Sequence, residues 1–215
     1  MMDSFDKAAL GPLFQRLRRV FADRREVLIT LDGQVGDSDL GITMNKAFDA
    51  ASASVDADTA NGLGRTLAMA GMAMARAAPS TMGTLMATGF MRGGKALEGA
   101  GTTAIDTAAM ATFWQAFADG IAERGKARPG DKTVVDVLVP IAAALKAAQA
   151  AGKPLADALD EAVEAAVQGL EATKTMVAQH GKAAAFQDRT RGLQDAGATV
   201  GLILIEAFRD EARDG

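Results

Sequence analysis

Hydrophobic residues recur at helical spacing through most of the chain. Near its start, Leu10, Phe14, Leu17 and Phe21 follow one another at intervals of three or four residues, which puts them on one face of a helix. No segment has the period-two alternation typical of a strand, and no longer unit repeats itself along the chain. The pattern therefore predicts an all-α protein.

Capping residues, glycines and prolines divide this pattern into helices with short connections. The predicted helices run from residue 3 or 4 to about 23, then over residues 26–31, 42–53, 63–78, 83–97, 102 or 103 to about 124, 132–151, 155–177 and 198–213. Pro140 is expected to kink the helix that contains it. Residues 181–197 are polar and contain glycine, which predicts a long functional loop. Around eight long helices favour an antiparallel bundle or a closed barrel, formed by a single domain over residues 1–215.

Composition narrows the functional classes. The chain has no cysteine, which excludes disulfides and cysteine-ligated zinc. Its formal net charge is −4 and its Lys and Arg residues are dispersed, so nucleic acid is not expected as a partner. The acidic start does not resemble a signal peptide, and no apolar run is long enough to span a membrane. A cytoplasmic location is the expectation.

The most informative segment is residues 32–41, which we call the Asp loop. Asp32, Asp37 and Asp39 occur there at the spacing D-x4-D-x-D, together with three glycines. Three carboxylates so close together repel one another unless a cation neutralises them, and Mg²⁺ prefers carboxylate, water and phosphate oxygens. Gly41 is predicted to open a helix, whose N-terminal amides favour a phosphate. An ordinary solvated turn is the alternative, because Asp and Gly are common in turns.

Two other features have weaker interpretations. Residues 89–96 almost match the P-loop pattern, but Ala96 stands where a magnesium-binding hydroxyl belongs and no strand precedes the segment. We interpret this segment as the end of a helix. His180 is the only histidine in the chain and has no Cys or Ser partner in a recognisable motif, so we interpret it as a solvated loop residue.

Several blocks together resemble a known family, the nucleotide-binding L subunit of dihydroxyacetone kinases (the DhaL family). Residues 31–41 are similar to that family's signature L-D-x-x-[IV]-G-D-x-D-H-G, and residues 124–133 are similar to R-G-K-A-x-P-G-D-K-T. Residues 192–199 resemble G-H-x-D-P-G-A-T, and residues 82–85 more weakly resemble S-G-P-L. The blocks follow the family's order across almost the whole chain.

This resemblance implies an eight-helix barrel that binds ADP or ATP at one end. The expected metal is Mg²⁺, with two ions in the site. The positions that match the family's metal ligands are Asp32, Asp37 and Asp39. The positions that match its nucleotide-binding residues are Leu40, Gly41, Ile42, Thr43, Met82, Gly83, Gly125, Val134, Lys182, Asp195, Ala196 and Gly197. No catalytic residue is implied beyond this metal and phosphate site, in which Lys182 is the candidate.

The chain departs from the family pattern at four of these positions. Leu40 stands in place of a histidine, Met82 of a serine, Lys182 of an arginine and Ala196 of a proline. A lysine can meet a phosphate, but as a point charge rather than a bidentate fork. The departures alter the edge of the expected site more than its metal-binding centre.

The implied function is half of an enzyme. In the family, a separate K subunit holds a short ketose covalently through a histidine, and the L subunit supplies the nucleotide. The nucleotide either enters as ATP and leaves as ADP, or stays bound and is recharged by a phosphoprotein of the phosphotransferase system. A different reading is a nucleotide-sensing module that docks on a transcription regulator.

Overall fold

The amphipathic segments form helices separated at the expected glycines, prolines and capping residues. The computed structural model describes residues 2–215. Its α-helices are α1 (Leu10–Asp23), α2 (Arg25–Asp32), α3 (Leu40–Ala57), α4 (Leu63–Ala77), α5 (Thr81–Gly99), α6 (Thr107–Gly125), α7 (Val135–Ala150), α8 (Leu155–Thr173) and α9 (Ala196–Asp214). A 3₁₀ helix covers Lys182–Thr190. Within residues 2–215 the only β-type pairing is an isolated bridge between Phe5 and Ile105, so the prediction of an all-α protein is confirmed.

Eight of these helices contact one another in a closed ring. α1 packs against α3, each helix from α3 to α8 packs against the next one in the chain, and α9 returns to α1. The short helix α2 packs mainly against α3. Connections of a few residues between long helices are those expected of antiparallel neighbours. None of the helices in the described range is both long and apolar enough to cross a membrane.

Aromatic side chains fill the interior of the ring. The fully buried ring of Phe90 lies between those of Phe14, Phe48, Phe113 and Phe117, with centroid distances of 5.3–6.2 Å. These separations lie within the range in which aromatic pairs attract beyond simple burial. The core therefore joins α1, α3, α5 and α6 through one phenylalanine.

The P-loop-like segment belongs to this core. Residues 89–96 lie in the second half of α5, which ends at Gly99, so they belong to the end of a helix and not to a P-loop, as we interpreted them. A Cβ on Gly89 would lie 2.6 Å from the ring of Phe117, and one on Gly93 would lie 2.5 Å from the ring of Phe113. The glycines therefore allow α6 to approach α5 closely, and their spacing has a packing origin.

Some helix boundaries differ from the predicted ones for local reasons. α1 begins at Leu10 rather than at residue 3 or 4, because Phe5 pairs with Ile105 and the Asp6 carboxylate accepts a hydrogen bond from the Ala9 amide at 3.0 Å. α6 begins at Thr107, where Asp106 provides the cap by accepting from the Ala109 amide at 2.9 Å.

Later boundaries differ as well. α8 ends at Thr173, four residues early, and the long loop that we predicted after it contains the 3₁₀ helix. α7 begins at Val135 and continues through Pro140 to Ala150. The missing amide of Pro140 would have bonded to the carbonyl of Asp136. That carbonyl instead faces α8, where a Cβ on Gly169 would lie 2.5 Å from its oxygen.

Candidate functional site

A cavity of about 440 Å³ opens at one end of the ring. Its walls include Leu40, the first residue of α3, Met82 in the first turn of α5, Val134 just before α7, and Ala196, the first residue of α9. Alternate helices thus begin at the same end, as in an antiparallel ring. The positive ends of four helix dipoles meet at this cavity, which favours an anionic ligand.

The three aspartates of the Asp loop converge at the edge of this cavity. Asp32 is the last residue of α2, while Asp37 and Asp39 lie in the turn before α3. Each offers a carboxylate oxygen, and these oxygens lie within 4.8 Å of one another. One Asp32 oxygen accepts hydrogen bonds from the backbone amides of Asp39 at 3.0 Å and Leu40 at 3.3 Å. Asp32 therefore also fixes the first turn of α3.

Two glycines of the Asp loop lie where a side chain would clash with neighbouring atoms. A Cβ on Gly36 would lie 2.2 Å from an Asp32 carboxylate oxygen, and one on Gly41 would lie 2.1 Å from the Arg25 carbonyl oxygen. Between them, Ser38 has a left-handed backbone with φ of 62°. Only a tight fold of the backbone brings the three carboxylates together, and a larger residue at Gly36 would displace Asp32.

The opposite wall comes from the segment between α8 and α9, residues 174–195, which we call the strap. The Lys182 ammonium donates a hydrogen bond to a carboxylate oxygen of Asp37, so the strap reaches across the cavity mouth to the Asp loop. The strap is anchored beside Lys182, because the Gln179 amide donates to the Asp131 carbonyl at 3.0 Å. Two segments that are far apart in sequence therefore meet at the three carboxylates of the Asp loop.

His180 is part of this anchor. Its Nε2 lies 3.0 Å from a carboxylate oxygen of Asp131, and its side chain is 35% exposed, so our interpretation of a solvated loop histidine was wrong. The pKa of Asp131 is lowered chiefly by a hydrogen bond from the Arg128 amide, against the opposing effect of burial, and further by His180. Asp131 is thus held as an anionic acceptor for the strap.

A buried lysine lies behind the cavity. Lys132 is 3% exposed, and its ammonium donates to the backbone carbonyls of Thr173 and Leu193. Burial lowers the pKa of Lys132, while the charges of Asp195 and Asp136 oppose that shift. Since Thr173 ends α8 and Leu193 lies in the strap, Lys132 ties both to the start of α7. α8 ends early at Thr173, where this contact with Lys132 is made.

Asp195 is the most perturbed acid of the cavity. Its carboxylate caps α9 by accepting from the Ala198 amide at 2.7 Å. Burial raises the pKa of Asp195 to about 6, although the amides of Ala198 and Gly197 and the charge of Lys132 act in the opposite direction. The carboxyl group of Asp195 is half-buried at the start of α9, and partial removal from water accounts for its raised pKa.

The structure brings most of the predicted site residues to one cavity. Its walls include Asp32, Asp37, Asp39, Leu40, Met82, Val134, Lys182, Asp195, Ala196 and Gly197. The end of the Met82 side chain is close to α9, since a Cβ on Gly197 would lie 2.8 Å from it. The departure at Met82 thus fills the space between the starts of α5 and α9.

Five predicted residues do not line this cavity in the described range: Gly41, Ile42, Thr43, Gly83 and Gly125. Gly41 and Thr43 are buried within the helix packing, whereas Ile42 is exposed. The Gly83 amide is already bonded to the Ser80 hydroxyl, and a Cβ on Gly125 would meet Leu85 at 3.5 Å. Backbone amides in the first turns of α3 and α5 are still directed toward the cavity end of their helices.

Several lining residues were not predicted from the sequence, among them Ser80, Thr81, Lys132, Thr133, His180 and Gln194. A signal existed for two of them, because Lys132 and Thr133 close the second block of resemblance. His180 had no such signal, since its partner Asp131 lies 49 residues away.

Comparisons with known proteins agree with this architecture. Residues 34–210 match the DAK2 domain family. The chain is 31% identical to the ADP-binding subunit DhaL of the PEP-dependent dihydroxyacetone kinase of Escherichia coli, over 91% of this chain and 92% of that one. It is 30% identical to the corresponding subunit of kinase 1 from Listeria innocua, over 86% of this chain and 87% of that one.

Solved structures share the fold. The dihydroxyacetone kinase of C. freundii superposes with a TM-score of 0.72 and 23% identity over 96% of this chain. The same enzyme in complex with AMP-PNP and Mg²⁺ gives a TM-score of 0.70 and 24% identity. This chain spans about a third, 35%, of that longer protein. By the match over residues 34–210 and its similarity to full-length relatives, the chain belongs to the DAK2 domain family.

Proposed function

We propose that this protein binds ADP or ATP through Mg²⁺ in the cavity and serves as the nucleotide subunit of a kinase for dihydroxyacetone or a similar short ketose. The observation that carries the proposal is the convergence of Asp32, Asp37 and Asp39 at the edge of a cavity where four helices begin. The relatives named above are ADP-binding kinase subunits, which supports the same conclusion.

The carboxylates fit a hard divalent cation. Their oxygens are within 4.8 Å of one another, and Mg²⁺ sites typically combine one or two carboxylates with water and phosphate oxygens. Asp32, Asp37 and Asp39 would hold such a cation, and three carboxylates offer enough oxygens for a second one. When bound, such ions neutralise the charge that develops on a transferred phosphoryl group.

The chain's own residues would hold and orient the nucleotide. First-turn amides of α3 face the phosphates, Lys182 supplies a positive charge from the strap, and Asp195, Ala196 and Gly197 form the wall beside α9. Apolar side chains of Leu40, Met82 and Val134 line part of the cavity and would exclude water once a nucleotide fills it. A dry, pre-organised site strengthens electrostatic interactions with the phosphoryl group.

The acceptor hydroxyl would come from a separate sugar-binding K subunit. The only histidine of the chain is used in the strap anchor with Asp131 and so does not offer a covalent site for a ketose. Because the relatives are subunits of PEP-dependent kinases, a phosphoprotein of the phosphotransferase system is the proposed source of the phosphoryl group. ADP would then remain bound and be recharged in place.

Calorimetry with Mg-ADP tests the metal site. Asp32→Asn, Asp37→Asn and Asp39→Asn each remove one carboxylate charge and should weaken binding at least tenfold, about 1.4 kcal/mol. Asp119→Asn is the matched control, because Asp119 is exposed on α6, where its carboxylate accepts a hydrogen bond from Gln115 of the same helix. Unchanged affinity in all three site variants would reduce the Asp loop to an ordinary turn.

Reconstitution tests the partner. The isolated chain should show little turnover of dihydroxyacetone with ATP, and activity should appear when a cognate K-type subunit and a phosphoryl donor are added. Supplying ATP alone or a phosphoprotein system alone distinguishes the two phosphoryl sources. Robust kinase activity of the isolated, homogeneous chain would contradict the assignment of half an enzyme.

A further inference from the structure

The strap and the Asp loop are joined by one charge. Lys182 donates to Asp37, 145 residues earlier in the chain, at the place where three carboxylates converge. Those carboxylates have a formal charge of −3, and the ammonium reduces the total to −2. The protein itself therefore supplies a cation where the proposed function requires a metal ion.

Asp37 cannot bind a metal ion while its carboxylate keeps the present contact with the Lys182 ammonium. The oxygen that accepts the hydrogen bond from Lys182 is the Oδ2 atom of Asp37. An ammonium at hydrogen-bonding distance occupies space beside the carboxylates and repels a divalent ion. Metal binding at the Asp loop therefore requires the ammonium to move.

The structure lets the side chain move while the backbone stays. The backbone before Lys182 is fixed by the Gln179 amide and the His180 ring, both bonded to Asp131. After these anchors, Gly181 turns the chain with φ of 65°. The Lys182 side chain itself is 63% exposed and has four methylene groups, so it can leave Asp37 by rotation about its own bonds.

From these contacts we infer that Lys182 is an exchangeable counter-ion, which neutralises Asp37 in the metal-free protein and is displaced from it when the metal binds. The inference rests on the proposed function, because it takes Asp37 as a metal ligand. Once released, the ammonium remains on the strap at the cavity mouth, where nucleotide phosphates would receive it. Lys182 would then oppose the binding of metal alone and favour the binding of metal with nucleotide.

Because these two effects are opposite, replacing Lys182 should change the affinity for Mg²⁺ alone and the affinity for Mg-ADP in opposite directions. Binding of Mg²⁺ alone and of Mg-ADP is measured by calorimetry for the wild type, Lys182→Met and Lys182→Arg. Lys182→Met should bind Mg²⁺ alone about two- to fivefold more tightly, the range expected for loss of an exposed ion pair. The same variant should bind Mg-ADP more weakly than the wild type, and Lys182→Arg should resemble the wild type in both measurements.

Lys95→Met is the matched control, since Lys95 is an exposed lysine of α5, roughly 20 Å along the helix from its start at the cavity. It should change neither affinity. Adding Lys182→Met to Asp37→Asn should give no further gain in Mg²⁺ affinity, because the ion pair is already absent. A Lys182→Met variant that binds Mg²⁺ alone no more tightly than the wild type would overturn the inference.

The two proposals fail differently. If Asp37→Asn weakens Mg-ADP binding while Lys182→Met leaves Mg²⁺ affinity unchanged, the counter-ion inference fails and the metal site stands. If none of the three aspartate variants affects Mg-ADP, the proposed function fails. Circular dichroism of each variant establishes that it is folded, and Lys182→Gln repeats the test if Lys182→Met does not fold.

Discussion

The interior around Phe90 and the cavity end of the ring are built by opposite means. Around Phe90, apolar rings and glycines fit together with no charge among them. At the cavity end, three carboxylates converge, Lys132 is buried, Asp195 is half-buried, and Ser38 and Lys132 have left-handed backbones. Buried charges and unusual backbone angles cost stability unless partners compensate for them. The comparison indicates that one region stabilises the fold and the other uses some of that stability for binding.

The largest effect should come from the interior. Phe90→Ala removes a fully buried ring that four other rings contact, and should lower the free energy of unfolding by about 3–5 kcal/mol. Chemical denaturation measures the loss. At a temperature where the variant is folded, its affinity for Mg-ADP should equal that of the wild type. Val27→Ala, at a residue that is 46% exposed, should change stability by less than about 0.5 kcal/mol. Loss of nucleotide affinity in folded Phe90→Ala would contradict the separation of the two regions.

The second effect is a pH dependence at the cavity end. The pKa of Asp195 is about 6 in the folded protein against an ordinary 3.8, so the folded state binds this proton more tightly than the unfolded state does. The contribution of Asp195 to stability is therefore present below pH 3.8 and is lost as pH rises through about 6. The loss is on the order of 3 kcal/mol.

Asp195→Asn isolates this contribution, because Asn is an equally good N-cap but does not titrate. In metal-free protein, the stability of the variant relative to the wild type should increase as pH rises from about 4 to above 6. The two denaturation curves are measured at each pH. A constant difference across this range would mean that the Asp195 carboxyl is not held in a dry environment.

The third effect is stabilisation by ligand. Mg-ADP at a hundredfold excess over its dissociation constant should raise the free energy of unfolding by about 2.7 kcal/mol, and nucleotide with chelator should raise it much less. Hydrogen exchange should slow in the Asp loop and in the strap together, since each forms one wall of the cavity. Protection confined to the Asp loop, with the amides near Lys182 and Asp195 unaffected, would remove the strap from the site.

The smallest effect concerns a departure from the family pattern. Met82→Ser restores a hydroxyl beside the start of α5 and removes a side chain that packs close to Gly197. We expect a loss of stability of about 1 kcal/mol, because Met82 is only partly buried. Mg-ADP affinity should rise a fewfold, because the serine hydroxyl can donate to a phosphate. Calorimetry measures the direction and the size of this change in Mg-ADP affinity. Weaker binding would show that the methionine itself contacts the nucleotide.

The two regions also differ in how far the sequence could predict them. Helical spacing of residues such as Leu10 and Phe14 predicted the helices, because that signal is local. The Asp loop was found for the same reason, since its three carboxylates are neighbours in the chain. His180 and Asp131, or Lys132 and Leu193, are paired only by the fold, so nothing in their local sequence predicts the anchor of the strap.

The predicted helix boundaries were wrong where a contact with a residue distant in sequence competes with helix propensity. α8 ends early at Thr173, whose carbonyl accepts a hydrogen bond from Lys132. α1 begins late, because Phe5 before it pairs with Ile105. The glycines of α5 were predicted to lie in a helix, but the rings from α6 that pack against them could not be predicted from the local sequence. These contacts become visible only when the helices are assembled.

The closure of the ring also brings the two ends of the described chain together. The Met2 amide donates to the Ala212 carbonyl at 2.7 Å, beside the end of α9 that is farthest from the cavity. A short linker could therefore join residue 215 to residue 2, with new termini opened at the Gly152 turn on the same far side. Such a circular permutant should still bind Mg-ADP, and a further domain fused beside residue 2 or residue 215 would lie away from the cavity.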